Sequence, residues 1–358
     1  MSWRFDIDPD IAKASTPPAR FYTDPEAYRA TVDNVFARSW QFVGDTDLVR
    51  VPGQIHPFTL LEGCVDEPLL LTRDRDDGVH CLSNVCNLVA ETPGHEKFLR
   101  CRYHGRRFGL DGGFQSMPSF EGVEGFPCDA DSLPRVPFGT WHKFLFASLD
   151  PTETLEQLLQ PMADRVGFLP LGEAVFTPER AHEYSMRAHW ALYVSNYLEA
   201  FHSPFIHAGL SQALDVSQYR TECFETSNLQ AGVAAEGEPA FDLAAGHHEH
   251  GQRIAAYYFW LFPNTMFNVY PWGISVNVVR PQGPDRTRVS FLPYVWDASL
   301  LGQGAGGDLD RVEREDEAVV EATQRGIRSR LYHRGRYSPT QEIGTHHFHG
   351  LLAGALGE

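Results

Sequence analysis

Residues 253–271 read RIAAYYFWLFPNTMFNVYP, and residues 274–296 read ISVNVVRPQGPDRTRVSFLPYVW. Both runs are rich in aromatic and β-branched residues, which fit the pleated surface of a sheet. Three segments around them have helical patterns: residues 153–167, 190–202 and 310–329. Helices packed on an antiparallel sheet form an α+β domain, which we expect over residues 151–358.

The chain before this domain has a different pattern, with short strand-like segments separated by Gly, Pro and Asp. These segments are SWQFVGD, HPFTLLEG, PLLLTRD, FGLDG and HKFLFASLD. They predict a small antiparallel β domain over residues 40–150. Residues 1–39 contain FYTDPEAYRATVDNVFARSW, which predicts a helical segment that packs on the body of the protein.

Length and charge limit the classes of function. The chain has 358 residues, enough for two domains, and its 30 Lys and Arg against 47 Asp and Glu give a net charge of −17. Such an acid excess repels a phosphate backbone, so we expect no nucleic-acid partner. No stretch approaches the ~20 apolar residues of a membrane span, and the opening residues lack a secretion signal. We therefore expect a cytoplasmic protein that does not bind a membrane.

The segment NYLEAFHSPFIH, residues 196–207, concentrates side chains that can bind a metal. Glu199 and His202 are three residues apart, so on a helix they share a face. His207 is five residues beyond His202, which on an uninterrupted helix would turn it about 140° from that face. Pro204 disturbs the helix between them, and we expect a kink that brings both imidazoles to one point.

Two imidazoles and a carboxylate on one side of an ion form the facial triad of non-haem Fe(II) oxygenases. The carboxylate must come from elsewhere, and DRVEREDEAVVEATQRGI, residues 310–327, offers Asp316. Helical periodicity places the following residues along one face: Val312, Asp316, Val319, Val320, Thr323 and Ile327. Asp316 is thus an acid on the apolar face, where a metal would compensate its burial. Glu313 lies at the edge of this face and is the rival ligand.

An ordinary structural role is the alternative for each of these groups. Asp316 could cap a helix or pair with an Arg, and His202 and His207 could be core histidines. Spacing alone does not separate these alternatives. The other histidine-rich stretch, residues 247–250, has acidic neighbours and predicts a solvated loop.

The pattern NxxExxHxxxxH, followed more than a hundred residues later by EDxxxxExxQ, resembles the catalytic domain of Rieske-type non-haem iron oxygenases. These are the ring-hydroxylating oxygenase α-subunits. The resemblance extends over most of the chain. It includes RFYTDPEAYRATVDNVFARSWQFVGD near the start, CRYHGRRFGLDG in the β domain and SPTQEIGTHHFHGLL near the end.

This resemblance implies a fold, a reaction and roles for residues. It implies a Rieske-like [2Fe–2S] domain before a catalytic domain of helix-grip type. His202, His207 and Asp316 would hold a mononuclear Fe(II), and the enzyme would use O₂ to hydroxylate an organic substrate by mono- or dioxygenation. Glu199 would hydrogen-bond a metal-binding histidine and link the two metal centres. Asn196 would be a polar neighbour of the iron pocket.

A Rieske cluster has two thiolates on one iron and two imidazoles on the other, which the family supplies as CxH and CxxH on two loops. Cys101 and His104, in CRYHG, match the second loop. In the first loop Cys86 is present, but the residue two positions later is Leu88, which cannot bind iron. The spacing from Cys86 to Cys101 is also shorter than in the family, as if a segment with the histidine had been removed.

This first loop leaves several alternatives open. The cluster could be retained with His95, on the same loop, as the substitute ligand. It could be absent or unstable, which would impair electron delivery to the iron. A zinc site of CxxxxC…CxxH type could instead use Cys81, Cys86, Cys101 and His104. Thiols without any metal are the last alternative.

The resemblance also implies partners. It implies a homotrimer in which Glu199 meets the partner subunit's His104, and electron supply from a ferredoxin or flavin reductase. The chain itself has no GxGxxG fingerprint for a flavin or nicotinamide. The substrate is an unidentified organic molecule, with an arene, an alkaloid, a steroid and a quaternary amine as candidates. The alternative function is a ligand-binding or mononuclear-metal protein without Rieske electron transfer.

Overall fold

The computed structural model describes residues 3–85, 89–207, 214–215, 218–307 and 309–357. The packing of the backbone divides the chain into two compact units. The larger unit joins residues 1–36 to residues 153–358, and the smaller unit comprises residues 37–152.

The smaller unit consists of short antiparallel strands, as the sequence predicts. The strands are β1 (Gln41–Asp45), β2 (Gln54–Leu60), β3 (Glu67–Arg73), β4 (Val79–Ser83), β5 (Gly94–His95), β6 (Leu99–Arg100), β7 (Arg107–Phe108), β8 (Phe114–Ser116), β9 (Phe138–Trp141) and β10 (Phe144–Ala147). They form sheets with the orders β1-β10-β9, β4-β3-β2-β5 and β6-β7-β8.

The alternation of side chains along β3 and β4 separates two apolar clusters within this unit. Leu70 and Leu82 face the loop side, because alternate residues of a strand point to opposite faces. They pack with Val89, Ala90, Leu99 and Phe108. Leu69, Leu71 and Cys81 face the other way and pack with Val49, Leu60, Leu145 and Ala147. The loops that carry Cys101 and His104 therefore lie on the Leu70 side of the sheet.

The larger unit is built on one antiparallel sheet. Its strands are β11 (Val175–Phe176), β12 (His182–Met186), β13 (Arg220–Cys223), β14 (Ser227–Val233), β15 (Ile254–Leu261), β16 (Thr265–Tyr270), β17 (Gly273–Pro281) and β18 (Thr287–Val295). The order is β11-β18-β17-β16-β15-β14-β13, with β12 also paired to β18. The two aromatic and β-branched runs form β15 to β18, and Phe267 of β16 lies opposite both Phe259 and Val276.

Helices cover this sheet. They are α1 (Pro25–Thr31), α2 (Leu155–Val166), α3 (Trp190–Tyr197), α4 (Ser203–Ile206), α5 (Leu309–Ile327) and α6 (Ile343–Gly357). Helix α3 contacts β17, α5 and α6. Its first residue, Trp190, is fully buried, with its ring 4.8 Å from that of Phe36 and 5.6 Å from that of Phe348. The α+β prediction is confirmed, and α3 is the element from which the candidate site extends.

The start of the chain belongs to the larger unit. Asp24 caps α1 by accepting a hydrogen bond from the Glu26 backbone at 2.8 Å, and Pro25 occupies the first turn, where its missing N–H is not needed. The helix continues as a π-helix over Val32–Phe36. The π-helix thereby places the ring of Phe36 against the ring of Trp190.

The prediction of a solvated loop at residues 247–250 is wrong at Glu249. Its carboxylate is fully buried. It accepts hydrogen bonds from Arg165 on α2 and from the Tyr257 hydroxyl on β15, the latter at 3.1 Å. The Glu249 carboxylate therefore links α2 to the sheet. The acidic composition of residues 247–250 does not predict this contact.

Among the helices of the described residues, none combines the length and the apolar character that crossing a bilayer requires.

Candidate metal centre and substrate pocket

The segment between α3 and α4 brings two histidines together, although not by the predicted kink. Helix α3 ends at Tyr197 rather than continuing to His202, and Pro204 lies in the first turn of the separate one-turn helix α4, which begins at Ser203. Proline is tolerated in a first helical turn, so it starts a helix here instead of bending one. His202 and His207 flank this turn, with their Nε2 atoms 3.1 Å apart.

Helix α5 supplies the carboxylate. Oδ1 of Asp316 lies 3.0 Å from His207 Nε2 and 3.3 Å from His202 Nε2. Ligand atoms about 2.1 Å from one ion and at right angles to each other are about 3 Å apart, so these separations fit three adjacent positions around a metal. Within the described residues, this trio is the group of His, Cys, Asp and Glu whose ligand atoms converge in this way.

Each member of the trio makes a hydrogen bond to a side chain that is not itself a member of the trio. His202 Nδ1 lies 2.6 Å from Oε1 of Glu199, and the Nδ2 group of Asn196 donates to Asp316 Oδ1 at 2.7 Å. His207 Nδ1 lies 2.8 Å from Oε2 of Glu315. Each imidazole thus has Nδ1 bonded to a carboxylate, which leaves Nε2 available to an ion.

Glu315 is a residue that the sequence analysis does not single out. On α5 it precedes Asp316, and Arg311 donates to its other oxygen from one turn earlier, at 3.0 Å. Helical periodicity places Glu315 away from the apolar face. Its only sequence signal is its position beside a candidate ligand.

The electrostatics of the trio favour a bound cation. Burial opposes a charge on His202, but its hydrogen bonds to Asp316 and Glu199 outweigh burial and raise its pKa to about 9. Burial likewise opposes the charge on Asp316, yet the two imidazoles hold its pKa below the usual value. The acidic surroundings therefore favour a positive charge, which a divalent ion supplies by displacing protons.

The buried face of α5 is offset from the predicted one. Thr323 is exposed, whereas Gln324 is buried, with 1% of its surface exposed. Gln324 accepts a hydrogen bond from the His189 backbone, so a polar contact with a neighbouring segment fixes the rotation of the helix. Glu313, the rival ligand, is also buried but does not join the converging trio.

A cavity lies beside the trio. Its aromatic lining consists of Tyr193, Tyr197, Tyr219, Tyr258, Tyr270 and Phe291. Acidic residues complete part of the wall: Glu199, Glu313 and Asp316. The described lining residues include no Lys or Arg. The cavity is therefore aromatic and acidic.

The second cluster loop is a tight turn between β6 and β7. Cys101 is buried, and its carbonyl accepts a hydrogen bond from Gly105 at 3.1 Å. Gly105 has φ +80, a conformation that favours glycine. His104 is exposed at this turn. Cys101 and His104 therefore lie on one compact loop, as two ligands of a cluster require.

The first cluster loop is only partly described. Cys86 and Leu88 lie outside the described residues. His95 lies on β5, where its Nε2 is 2.9 Å from the Pro52 carbonyl. The structure does not support the zinc alternative, because Cys81 faces the apolar cluster on the opposite side of the sheet and burial raises its pKa to about 12.

Comparison with known proteins identifies the family. The model described as "Ring hydroxylating alpha subunit (catalytic domain)" matches residues 174–358. The model described as "Rieske [2Fe-2S] domain" matches residues 39–127. The chain therefore belongs to the Rieske-type non-haem iron oxygenases of the ring-hydroxylating α-subunit family.

Two sets of relatives match almost the whole chain. Choline monooxygenase of Arabidopsis thaliana is 31% identical over 371 residues, covering 97% of this chain and 84% of that protein. The carnitine monooxygenase oxygenase subunit of Escherichia coli K12 is 30% identical over 361 residues, covering 95% and 94%. Both relatives are named as monooxygenases.

Solved structures agree on the fold. A quaternary ammonium Rieske monooxygenase superposes with a TM-score of 0.79 at 23% identity, covering 99% of this chain and 100% of that chain. A naphthalene 1,2-dioxygenase from Rhodococcus superposes with a TM-score of 0.68 at 17% identity.

Family membership confirms the predicted fold class and enzyme class. The protein is an oxidoreductase that uses O₂, and its family implies a Rieske [2Fe–2S] cluster and a mononuclear iron as cofactors. It also implies a small substrate and a partner that supplies electrons. Aromatic ring hydroxylation, one of the predicted reactions, gains no specific support from the two named relatives.

Proposed function

We propose that this protein is a monooxygenase that hydroxylates a carbon atom of a small quaternary ammonium compound. The observation that carries the proposal is the aromatic and acidic cavity beside the His202, His207 and Asp316 trio. Aromatic faces attract cations, and quaternary ammonium groups in particular. The names of the choline and carnitine monooxygenases support the same substrate class.

The size of the cavity also favours a small substrate. Its volume is about 130 Å³, below the usual range of pockets for drug-sized ligands. A compound of the size of choline fits this estimate better than a steroid.

We assign His202, His207 and Asp316 as the ligands of the mononuclear iron. Iron bound there would supply the activation of O₂, which no side chain of the pocket can perform. The reaction balances as substrate C–H plus O₂, two electrons and two protons, giving substrate C–OH and water. The protein orients the ligands through Asn196 and Glu315 and presents the substrate carbon to the open side of the site.

Glu199 is the proposed link in the electron path. Its carboxylate is bonded to the ring and to the backbone N–H of His202, at 2.6 and 3.0 Å. Such an acid can join a metal-binding histidine to a donor on its other side. The homotrimer, the ferredoxin or flavin reductase and the cytoplasmic location remain predictions that accompany this assignment.

A second candidate function follows from Leu88, which stands where the family has a cluster histidine. If the cluster is absent, the protein would be a mononuclear-metal or ligand-binding protein without Rieske electron transfer. The match of the Rieske domain model favours a cluster, with Cys86, Cys101 and His104 as three of its ligands.

One experiment separates these functions. Anaerobically purified protein should contain about three irons per chain, give a Rieske EPR signal after reduction, and consume O₂ with a quaternary ammonium substrate and a reductase. Choline, carnitine, glycine betaine and naphthalene form a suitable substrate panel. Turnover of naphthalene alone would contradict the proposal. Protein without a Rieske signal and without turnover would favour the second function.

A further inference from the structure

One acid in the substrate pocket has a buried carboxylate oxygen that no described residue contacts by a hydrogen bond. Glu313 is only 8% exposed, and its Oε2 atom has no hydrogen-bond partner within the described residues. A buried polar atom that lacks a partner costs free energy, so its retention calls for an explanation. Glu313 is not part of the converging trio, so the candidate metal does not account for its burial.

The position of Glu313 indicates what it contacts. It lines the cavity that contains the trio and also a second, adjoining cavity. Ser275 and Phe291 are likewise shared by both, so Glu313 lies where the two cavities meet. The outer cavity is lined by two further acids, Glu179 and Asp310, together with Arg180 and His182.

The inner cavity provides no basic counter-charge for this acid. The described part of its wall contains no Lys or Arg. Burial, and then the nearby acids Asp310, Asp316 and Glu317, raise the pKa of Glu313 to about 9, so its carboxyl gives up its proton when a cation binds beside it.

Aromatic rings stand beside the acid. The rings of Tyr258 and Tyr270 are 6.0 Å apart and nearly perpendicular, and Tyr219 stands 6.4 Å from Tyr258. Glu313 lies within electrostatic range of Tyr270, whose pKa is raised by burial, by neighbouring tyrosines and by this acid. A cation between these rings and Glu313 would be attracted from both sides.

We propose that Glu313 is the counter-charge for the cationic nitrogen of the substrate, and that the pocket selects cations without a carboxylate over zwitterions. The inference rests on the proposed function and narrows its substrate class. A zwitterion would place its own carboxylate in a pocket with three acids and no basic side chain on its described wall. A cationic alcohol such as choline meets no such repulsion.

The test compares ligands that differ in charge but not in shape. Calorimetry on the metal-loaded protein measures binding of choline, of the neutral dimethylbutanol with carbon in place of the nitrogen, and of glycine betaine. The unmodified protein should bind choline about tenfold or more tightly than either of the others. Equal binding of choline and its neutral analogue would overturn the proposal.

The variant Glu313→Gln keeps the size of the side chain and removes its charge. The preference for choline over the neutral analogue should fall to near unity, and the disadvantage of glycine betaine should shrink. Glu317→Gln, one turn further along α5 and outside both cavity walls, is the matched control and should keep the original preference. An unchanged preference in Glu313→Gln would refute the inference.

The outcomes also separate this inference from the proposed function. If the unmodified protein bound none of the quaternary ammonium ligands, the proposed function itself would fail. If it bound choline and Glu313→Gln bound it with the same charge preference, only the role of Glu313 would fail. The comparison of ligands in the unmodified protein keeps the test valid even if the variant folds poorly.

Discussion

The two metal-binding regions of this chain differ in how completely their ligands are present. In the larger unit, His202, His207 and Asp316 are all described and approach one another to 3.0–3.3 Å. In the smaller unit, Cys101 and His104 occupy one tight loop, while the other loop has Leu88 two positions after Cys86, where the family resemblance implies a histidine. The larger unit therefore has a complete set of candidate metal ligands, whereas the smaller unit has an incomplete cluster motif.

This difference shows how the ligand set of each candidate site depends on the local sequence. The proposed mononuclear site would take two ligands from one short segment and the third from a helix whose rotation is fixed by packing. The site keeps its geometry as long as that segment and that helix keep their positions. A Rieske cluster takes its ligands from two loops, so it depends on the length and sequence of both.

The replacement Asp316→Ala should have the largest effect on this comparison. It removes a ligand, and we expect loss of the mononuclear iron and of turnover, with the Rieske signal and the fold retained. Iron analysis, EPR and circular dichroism check the three parts. The control is Glu317→Ala on the same helix. Unchanged iron content in Asp316→Ala would move the assignment to Glu313.

Glu199→Gln should keep both metals and slow the communication between them. The neutral amide retains size but weakens the contact with His202 Nδ1, so single-turnover oxidation of the reduced cluster should slow by about 10- to 100-fold. Stopped-flow absorbance measures this rate. An undiminished rate would refute the bridging role of Glu199.

Glu315→Gln should affect the mononuclear site alone. Its carboxylate lies 2.8 Å from His207 Nδ1, and loss of such an outer contact lowers metal affinity by about tenfold or more. Competition with a chelator measures the iron affinity, and the Rieske signal serves as the internal control. Equal affinity in the variant would show that His207 needs no orientation by Glu315.

His95→Ala should have the smallest effect. The ring of His95 is bonded to the Pro52 carbonyl, so we expect it to stabilise the β2–β5 pairing and not to bind the cluster. The Rieske signal per chain should then be unchanged. A lost or shifted signal would instead identify His95 as the substitute ligand for the missing histidine.

Much of the candidate site could be predicted because its signals are local. The spacing in residues 196–207, the acid on the inner side of α5 and the family resemblance together indicate Glu199, His202, His207 and Asp316 without any structure. Their contacts agree with that pattern, while their roles as ligands and link remain predictions. The fold class followed from the aromatic strands and is confirmed.

The rest depended on tertiary contacts. Helix α3 ends at Tyr197 and α4 begins at Ser203, a break that helical periodicity does not predict. Gln324 replaces Thr323 on the inner face because of its bond to the His189 backbone. Glu315 and the buried Glu249 resemble solvated acids in the sequence, and only their partners reveal their positions.

The most direct test of the account is a diffraction measurement at the iron absorption edge on crystals of the iron-loaded protein. The account predicts an anomalous peak about 2.1 Å from the Nε2 atoms of His202 and His207 and from an oxygen of Asp316. A peak bound to other residues, or density in which the three side chains stand apart with no ion between them, would contradict it.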